Sequence, residues 1–414
     1  MYRYLFRIVV GLALVAWLAM VVSFIALRMD YAARLEQIEA ASNITSLPTT
    51  IPVPTIVPAT LEPLPDNVGQ GGAELPGTQS PASVHPKTGR YVAAWLPTSF
   101  DAEAARATFE ANKDILDEVS PFWYGIYRDG RLVADIGSRD MELVRLAREN
   151  NVLVIPTIHN IEDAEAASIL IADPALRTKH INIIVEEVMA YEYDGIDIDY
   201  EGLTADMTDE YTAFIGELSA ALHAKNKLLT IAVHAHNQKV GFHDYEALGP
   251  LVDRLRIMTY DYSWRGSGPG PIAPLYWVRS VAEYASKLVD PAKIEIGICF
   301  YAYDWGAGEE AYSRTWTDVN QIIADYQPRV SLVEQDSQGP VQESTFNYAG
   351  RTVWFSNYRS LTAKLDMVRE MDLAGIAIWR LGNEDPKNWE YIRDSLKQDP
   401  VIIQRTLNGY IPDK

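Results

Sequence analysis

The segment Tyr193-Asp194-Gly195-Ile196-Asp197-Ile198-Asp199-Tyr200-Glu201 carries the chain's densest chemistry. Successive side chains of an extended strand point to opposite faces. Asp197, Asp199 and Glu201 therefore share one face, and Ile196, Ile198 and Tyr200 the other. Three carboxylates stacked along one buried face repel one another and lose hydration. Both effects push at least one carboxyl pKa upward, so that a proton is retained near neutrality. Packing alone does not call for such a stack, whereas acid–base catalysis does, because a carboxylic acid that keeps its proton can hand it to a leaving group. A cation site and a solvated surface strand are the competing readings. Asp194 points away from the acids and is expected to bond backbone or a helix start. Gly195 fits a place where chains pack closely.

A strand with one acidic and one apolar face needs apolar cover on one side only. Eight β-rich runs recur, at Tyr91–Leu96, Glu118–Ile126, Val152–Ile158, Gly195–Glu201, Leu228–His234, Arg254–Tyr260, Lys293–Phe300 and Gly375–Arg380. Helical periodicity fills the segments between them; after the fourth run, Tyr211, Phe214, Ile215, Leu218 and Leu222 line one helical face. Eightfold strand–helix alternation predicts an α/β fold, a (β/α)8 TIM barrel, with the apolar set packed on helices and the acids in the lumen. Active sites of such barrels lie at the C-terminal ends of the strands, where the acidic run ends. Spacing roughly doubles before the last strand. A small α+β insertion is therefore expected over about 301–358, with a helical stretch at Thr317–Tyr326 and strand-like runs around Val330–Glu334 and Thr352–Phe355.

Two further regions precede the barrel, which is assigned to 90–414. Ile8–Leu27 is apolar and uncharged, flanked by Arg3, Arg7, Arg28 and Asp30. Its length matches a bilayer core of roughly 30 Å at about 1.5 Å rise per residue. We read 1–40 as an N-terminal membrane anchor; a cleaved signal peptide is the rival, although its apolar core is shorter, at about 7–15 residues. Residues 41–89 read as a Pro/Thr-rich linker, since nine of the 23 prolines fall between Pro48 and Pro86 and deprive helix and central strand of backbone donors. The expected location is the cell membrane, single-pass, with the catalytic domain extracytoplasmic. The formal charge of −20, from 56 acidic and 36 basic residues, argues against nucleic acid as a partner. The lone Cys299 excludes an intrachain disulfide and four-cysteine metal sites, and it reads as a buried thiol in the seventh strand. His234 and His236 form an H-x-H pair whose rings share a strand face. They raise a metal-dependent hydrolase as an alternative, but no third ligand is evident. No cofactor is expected, and oligomeric state has no signature in the sequence.

Asp-Gly-Ile-Asp-Ile-Asp-Tyr-Glu resembles the DGxDxDxE signature of glycoside hydrolase family 18, which includes chitinases and related glucosaminidases. Met258-Thr259-Tyr260-Asp261 is similar to the family's MxYD segment, and Trp379 ends the eighth strand where the family places a tryptophan under the sugar. Ser120-Pro121-Phe122-Trp123-Tyr124 with Asp129-Gly130, Ser267–Pro274 and Trp379–Pro386 resemble the spore-cortex-lytic, germination-protein subgroup. The resemblance covers about residues 90–400. It implies a retaining glycosidase acting on N-acetylglucosamine-containing polysaccharide, in peptidoglycan or chitin-like oligomers. Glu201 would be the general acid and later the base. The substrate's own 2-acetamido carbonyl would be the nucleophile, the exception to the paired-carboxylate rule. Asp199 would steady the acetamido N–H and Asp197 would share a proton with Asp199. Tyr260 would donate to the acetamido oxygen, Asp261 would contact that group or sugar hydroxyls, and Trp379 would floor the ring. The alternative is a catalytically weak or inactive glycan-binding module on the same barrel. Without the family, Tyr260 and Trp379 also fit ordinary core aromatics and Asp261 a loop cap.

Overall fold

A computed structural model describes residues 86–398. The expected anchor and nearly all of the linker lie outside them. Among the described residues, no helix is long and apolar enough to cross a membrane.

Eight parallel strands form a closed ring. They are β1 (Tyr91–Pro97), β2 (Glu118–Ile126), β3 (Thr157–His159), β4 (Gly195–Asp199), β5 (Leu228–His234), β6 (Arg254–Met258), β7 (Ile294–Cys299) and β8 (Gly375–Trp379). Each pairs with its successor, and β8 returns to β1. Outward side chains meet the helical shell. Ile196, Ile198 and Tyr200 of the β4 segment join one core cluster with Tyr211, Phe214, Ile215, Leu218 and Leu222, the buried stripe of helix Thr208–His223. Each fully buried large apolar side chain contributes roughly 1.5–3 kcal/mol. The Tyr200 hydroxyl meets the buried His180 ring at 2.6 Å, which satisfies the one polar atom β4 turns toward the helices. At the foot of β4, Val154 N–H donates to the Asp194 carboxylate at 2.8 Å. Gly195 is required there: a Cβ would stand 2.3 Å from the Leu228 carbonyl oxygen on β5.

The strands depart from the sequence reading mainly at their ends. The third is split, because Pro156 has no N–H to donate; Leu153–Val154 pairs separately with β2, while the Pro156 carbonyl accepts from Asp197 N–H at 2.9 Å. Pairing on β4 stops at Asp199 and on β6 at Met258. Glu201 and Tyr260 thus lie two residues beyond the ladder, at the C-terminal rim.

Between β7 and β8 stands a five-stranded antiparallel sheet. Its order is Tyr312–Arg314, Ala302–Trp305, Arg351–Phe355, Pro340–Tyr348, Ser331–Gln335. Helix Trp316–Tyr326 accompanies it, started by a Thr315–Asp318 capping box. Glu343 of this sheet is fully buried. It accepts the N–H groups of Ile272 (2.6 Å) and Ala273 (3.0 Å) and pairs with Lys364 at 3.3 Å. One carboxylate thereby fastens the glycine- and proline-rich loop after β6 to the insertion.

Candidate active site

The three acids of the β4 segment point into the lumen but occupy different depths. Asp197 is fully buried. Its carboxylate accepts from Trp95 Nε1 (3.0 Å), Thr157 Oγ1 (2.9 Å) and Thr230 Oγ1 (2.6 Å), and pairs with Arg256 at 3.1 Å. Asp199 is 8% exposed, and its Oδ1 is buried with no hydrogen-bond partner. Burial, then the charges of Glu201 and Asp197, push its carboxyl well above the usual aspartate range. The Glu201 side chain is 50% exposed at the mouth, with Oε2 3.1 Å from His234 Nε2.

Arg256 organises the floor beneath them. It donates to Glu118, to Glu295 at 2.9 Å and to Ser120 at 2.8 Å. Burial lowers its pKa, yet the surrounding Glu118, Asp197 and Glu295 carboxylates raise it further, so the guanidinium holds its proton firmly. The sequence reading expected Asp197 to share a proton with Asp199. In the structure its partners are these four donors, and Asp199 is not among them. The physical reason is register: Thr157 and Thr230 are the direct neighbours of Asp197 on β3 and β5.

Asn160, just past β3, was missed by the sequence reading. Its side-chain oxygen accepts Glu201 N–H and its amide donates to the Glu201 carbonyl, both at 2.8 Å. These two bonds hold the backbone of Glu201 after strand pairing has ended. No sequence signal marks Asn160 by itself, but its place one residue beyond an inward His159 was available from strand periodicity.

Tyr260, Asp261 and Trp379 converge on the same space. After β6 the chain turns sharply through Asp261 (φ +60°), a conformation Asp tolerates better than most residues. Its carboxylate accepts from the Tyr301 hydroxyl. Burial raises the Asp261 pKa, hydrogen bonds from Tyr301 and Tyr303 lower it, and the charge of Glu201 raises it; the net direction is up. Trp379 meets Trp95 and Phe122 edge-to-face, at ring separations of 5.8 and 5.3 Å. Its peptide bond to Arg380 is cis. Phe122 stacks in turn on His159 at 4.3 Å.

A cavity of about 350 Å³ is lined by Asp199, Glu201, Tyr260, Asp261 and Trp379, with Phe122, His234 and Trp277 among its other walls. A second, of about 570 Å³, opens between the barrel rim and the insertion. The two share Tyr260, Asp261 and Trp379. Five of the six predicted site residues therefore border one cavity, and Asp197 is the buried support beneath. The arrangement offers a solvent-facing carboxyl group, a buried proton-retaining one with an unfilled acceptor, and a flat aromatic wall. That combination suits protonation of a leaving oxygen on a polar, ring-shaped substrate.

Of the H-x-H pair, His234 contacts Glu201 and meets a third ring, His243, at 5.0 Å, and one ring nitrogen of His236 lies within 4.8 Å of one on each of the other two. Burial, then the neighbouring His234, pushes the His236 pKa down to about 4. Cys299 is buried, with its thiol pushed up to about 12, chiefly by that burial.

Comparison with known proteins agrees with this geometry. The family model Glycosyl hydrolases family 18 matches residues 121–384. The chain is 28% identical over 285 residues to the cortical fragment-lytic enzyme of Bacillus anthracis, covering 66% of each; it thus spans about two thirds of that relative's length. A chitinase from Chromobacterium violaceum superposes with a TM-score of 0.68 at 26% identity, covering 75% of this chain and 99% of that one. The spore cortex-lytic enzyme SleL of Bacillus megaterium gives 0.66 at 26% identity, covering 76% of each chain. With a closed eightfold barrel, the complete acidic strand and a family match over most of the described residues, this chain belongs to family 18 of the glycosyl hydrolases.

Proposed function

We propose that the chain is a retaining glycosidase that cleaves β-linked N-acetylglucosamine glycans, in peptidoglycan or chitin-like oligomers, with the substrate's acetamido group as nucleophile. One observation carries the reading: Asp199 Oδ1 is buried, unpartnered and directly beneath Glu201. A buried acceptor without a donor is costly, and an acetamido N–H entering the cavity supplies the missing one. The same contact orients the acetamido carbonyl toward the anomeric carbon. Glu201 protonates the glycosidic oxygen as the bond breaks, and the acetamido oxygen closes an oxazolinium ring. Water then adds at the anomeric carbon, giving its proton to Glu201, and the configuration is retained. Tyr260 donates to the acetamido oxygen and Trp379 stacks beneath the ring. The names of the relatives, cortical fragment-lytic enzyme and chitinase, support this substrate class. We also propose that Ile8–Leu27 anchors the enzyme in the membrane, with the barrel on the extracytoplasmic side.

The deciding experiment is digestion of purified muropeptide glycans, chitohexaose and its N-deacetylated counterpart, with mass spectrometry of products and NMR of the first anomer formed. Cleavage of acetylated substrates alone, with retention, is expected. Equal cleavage of the deacetylated oligomer overturns the acetamido mechanism. Cleavage of neither glycan overturns the substrate class.

A further inference from the structure

We propose that His234, His236 and His243 form a binding site for a divalent transition-metal cation beside the catalytic carboxylate. His234 ends β5, His236 follows two residues later, and His243 returns from the loop before the short helix Tyr245–Leu248. One ring nitrogen from each lies within 4.8 Å of those from the other two. Sequence spacing exposed only the first two. The third is nine residues away from His234 and reaches it through the loop.

Two independent features call for an occupant. Nε2 of His236 and Nε2 of His243 are both buried with no hydrogen-bond partner, and His243 as a whole is only 3% exposed. Buried ring nitrogens are ordinarily satisfied, and two unsatisfied ones in one cluster share a single remedy. Gly241 supplies the second feature. A Cβ there would stand 3.1 Å from His236 Nε2, so the missing side chain leaves room beside that nitrogen.

Three imidazoles with no thiolate suit Zn²⁺, Ni²⁺ or Cu²⁺, whereas Mg²⁺ and Ca²⁺ prefer oxygen ligands. His234 Nε2 faces Glu201 at 3.1 Å, which leaves its Nδ1 for the ion. His243 Nδ1 now accepts His234 N–H at 3.2 Å. Ligation through Nε2 puts the proton on Nδ1, and that long hydrogen bond is given up. Binding through His234 Nδ1 therefore holds the ring's proton on Nε2, facing Glu201, and favours the ionised form of that carboxylate. Resting on the reading of Glu201 as the acid, a bound cation is expected to slow hydrolysis without being needed for it.

The test uses the full chain stripped with EDTA and freed of chelator. Co²⁺ is titrated while its visible d–d absorption is followed, and Zn²⁺ binding is measured by calorimetry. One ion per chain with nitrogen-rich d–d bands is expected, together with at least about tenfold weaker binding in His236→Gln, a variant at a partly buried member of the cluster. His243→Gln is expected to behave likewise, with circular dichroism checking that it folds. No stoichiometric binding, or equal affinity in wild type and His236→Gln, overturns the site. These readouts need no substrate, so their failure leaves the glycosidase reading standing. Slowing of glycan cleavage by Zn²⁺ in wild type but not in His236→Gln supports the coupling to Glu201, and equal slowing of both overturns it.

Discussion

At the floor of the barrel Asp197 meets three neutral donors and a guanidinium. Two residues further up the same strand face, Asp199 keeps one oxygen with no donor at all, and Glu201 stands half in solvent. Chemical type and strand face are alike, so the contrast comes from what surrounds each group. Around Asp197 the floor is a completed polar network, in which a buried charge is tolerated because it is paired. The mouth is an incomplete one, and the missing partner has to come from outside the protein. Incomplete satisfaction at one place above complete satisfaction at another is how a fold holds a reactive group still without neutralising it.

The largest effect is expected at the mouth. Glu201→Gln keeps the shape and the backbone bonds to Asn160 but removes the transferable proton. Turnover should fall by roughly 10³–10⁴, toward the upper end of general-acid contributions, with the thermal midpoint little changed. Turnover within about tenfold of wild type would separate the mouth from the chemistry altogether.

The floor should break differently. Arg256→Met removes the one cation shared by Glu118, Asp197 and Glu295. Three buried carboxylates then lose their shared cation, Glu295 alone of them keeping Arg254 at 3.4 Å, and breaking such a network costs about 3–5 kcal/mol. Urea unfolding is expected to show this as a lower midpoint. An unchanged midpoint would mean that the floor network does not hold the barrel together.

Asp199→Asn tests both regions at once. Activity is expected to drop by roughly 10²–10³, the scale for losing an aligned electrostatic partner. Stability moves the other way. The raised carboxyl of Asp199 binds a proton in the folded state that the unfolded chain gives up above its ordinary value of 3.8. The native fold is therefore penalised increasingly as pH rises above about 4. Asparagine carries no such penalty, so the variant should melt higher than wild type at pH 8 and lose that advantage toward pH 4. A variant that melts lower at pH 8 would show that Asp199 is as well satisfied as Asp197.

The acidic face of β4 was readable from alternation alone, and so was the buried stripe of the helix that follows it, because each depends only on local periodicity. The partners of those acids were not. Arg256 reads in sequence as one of two charged residues in an apolar run, and nothing local says that it sits under Asp197. Thr157, Thr230 and Trp95 reach Asp197 through lateral register, which a single chain does not display. Strand ends were overextended for a related reason: Tyr200, Glu201 and Tyr260 keep strand-like composition after their pairing has stopped. In the insertion, the strand Pro340–Tyr348 escaped notice because Gln342, Glu343, Ser344 and Thr345 are four polar residues in a row, while Ala302–Trp305 hid behind β7, only two residues upstream.

The smallest expected effect lies at the floor and comes from its least satisfied member. Glu295 is fully buried and bonds Arg256 through Oε2 at 2.9 Å, while its Oε1 has no hydrogen bond and only an ion pair with Arg254 Nε at 3.4 Å. Burial raises its pKa, Arg256 lowers it, Glu118 raises it again and Arg254 lowers it, leaving it at about 7 against an ordinary 4.5. The folded protein therefore binds more protons than the unfolded chain between those values, and this group's contribution to stability declines as pH rises through that window and levels off above it. Glu295→Gln keeps an oxygen for Arg256 and abolishes the titration. Asp199 contributes equally to both proteins, so it cancels in the difference. Between pH 5 and pH 7 the variant should therefore lose about 1–2 kcal/mol less stability than wild type, within the limit of about 1.4 kcal/mol per pH unit for one proton. Urea unfolding at a series of pH values reads this directly. Parallel curves would mean that Glu295 is ionised throughout, and that the floor is as fully satisfied at Glu295 as it is at Asp197.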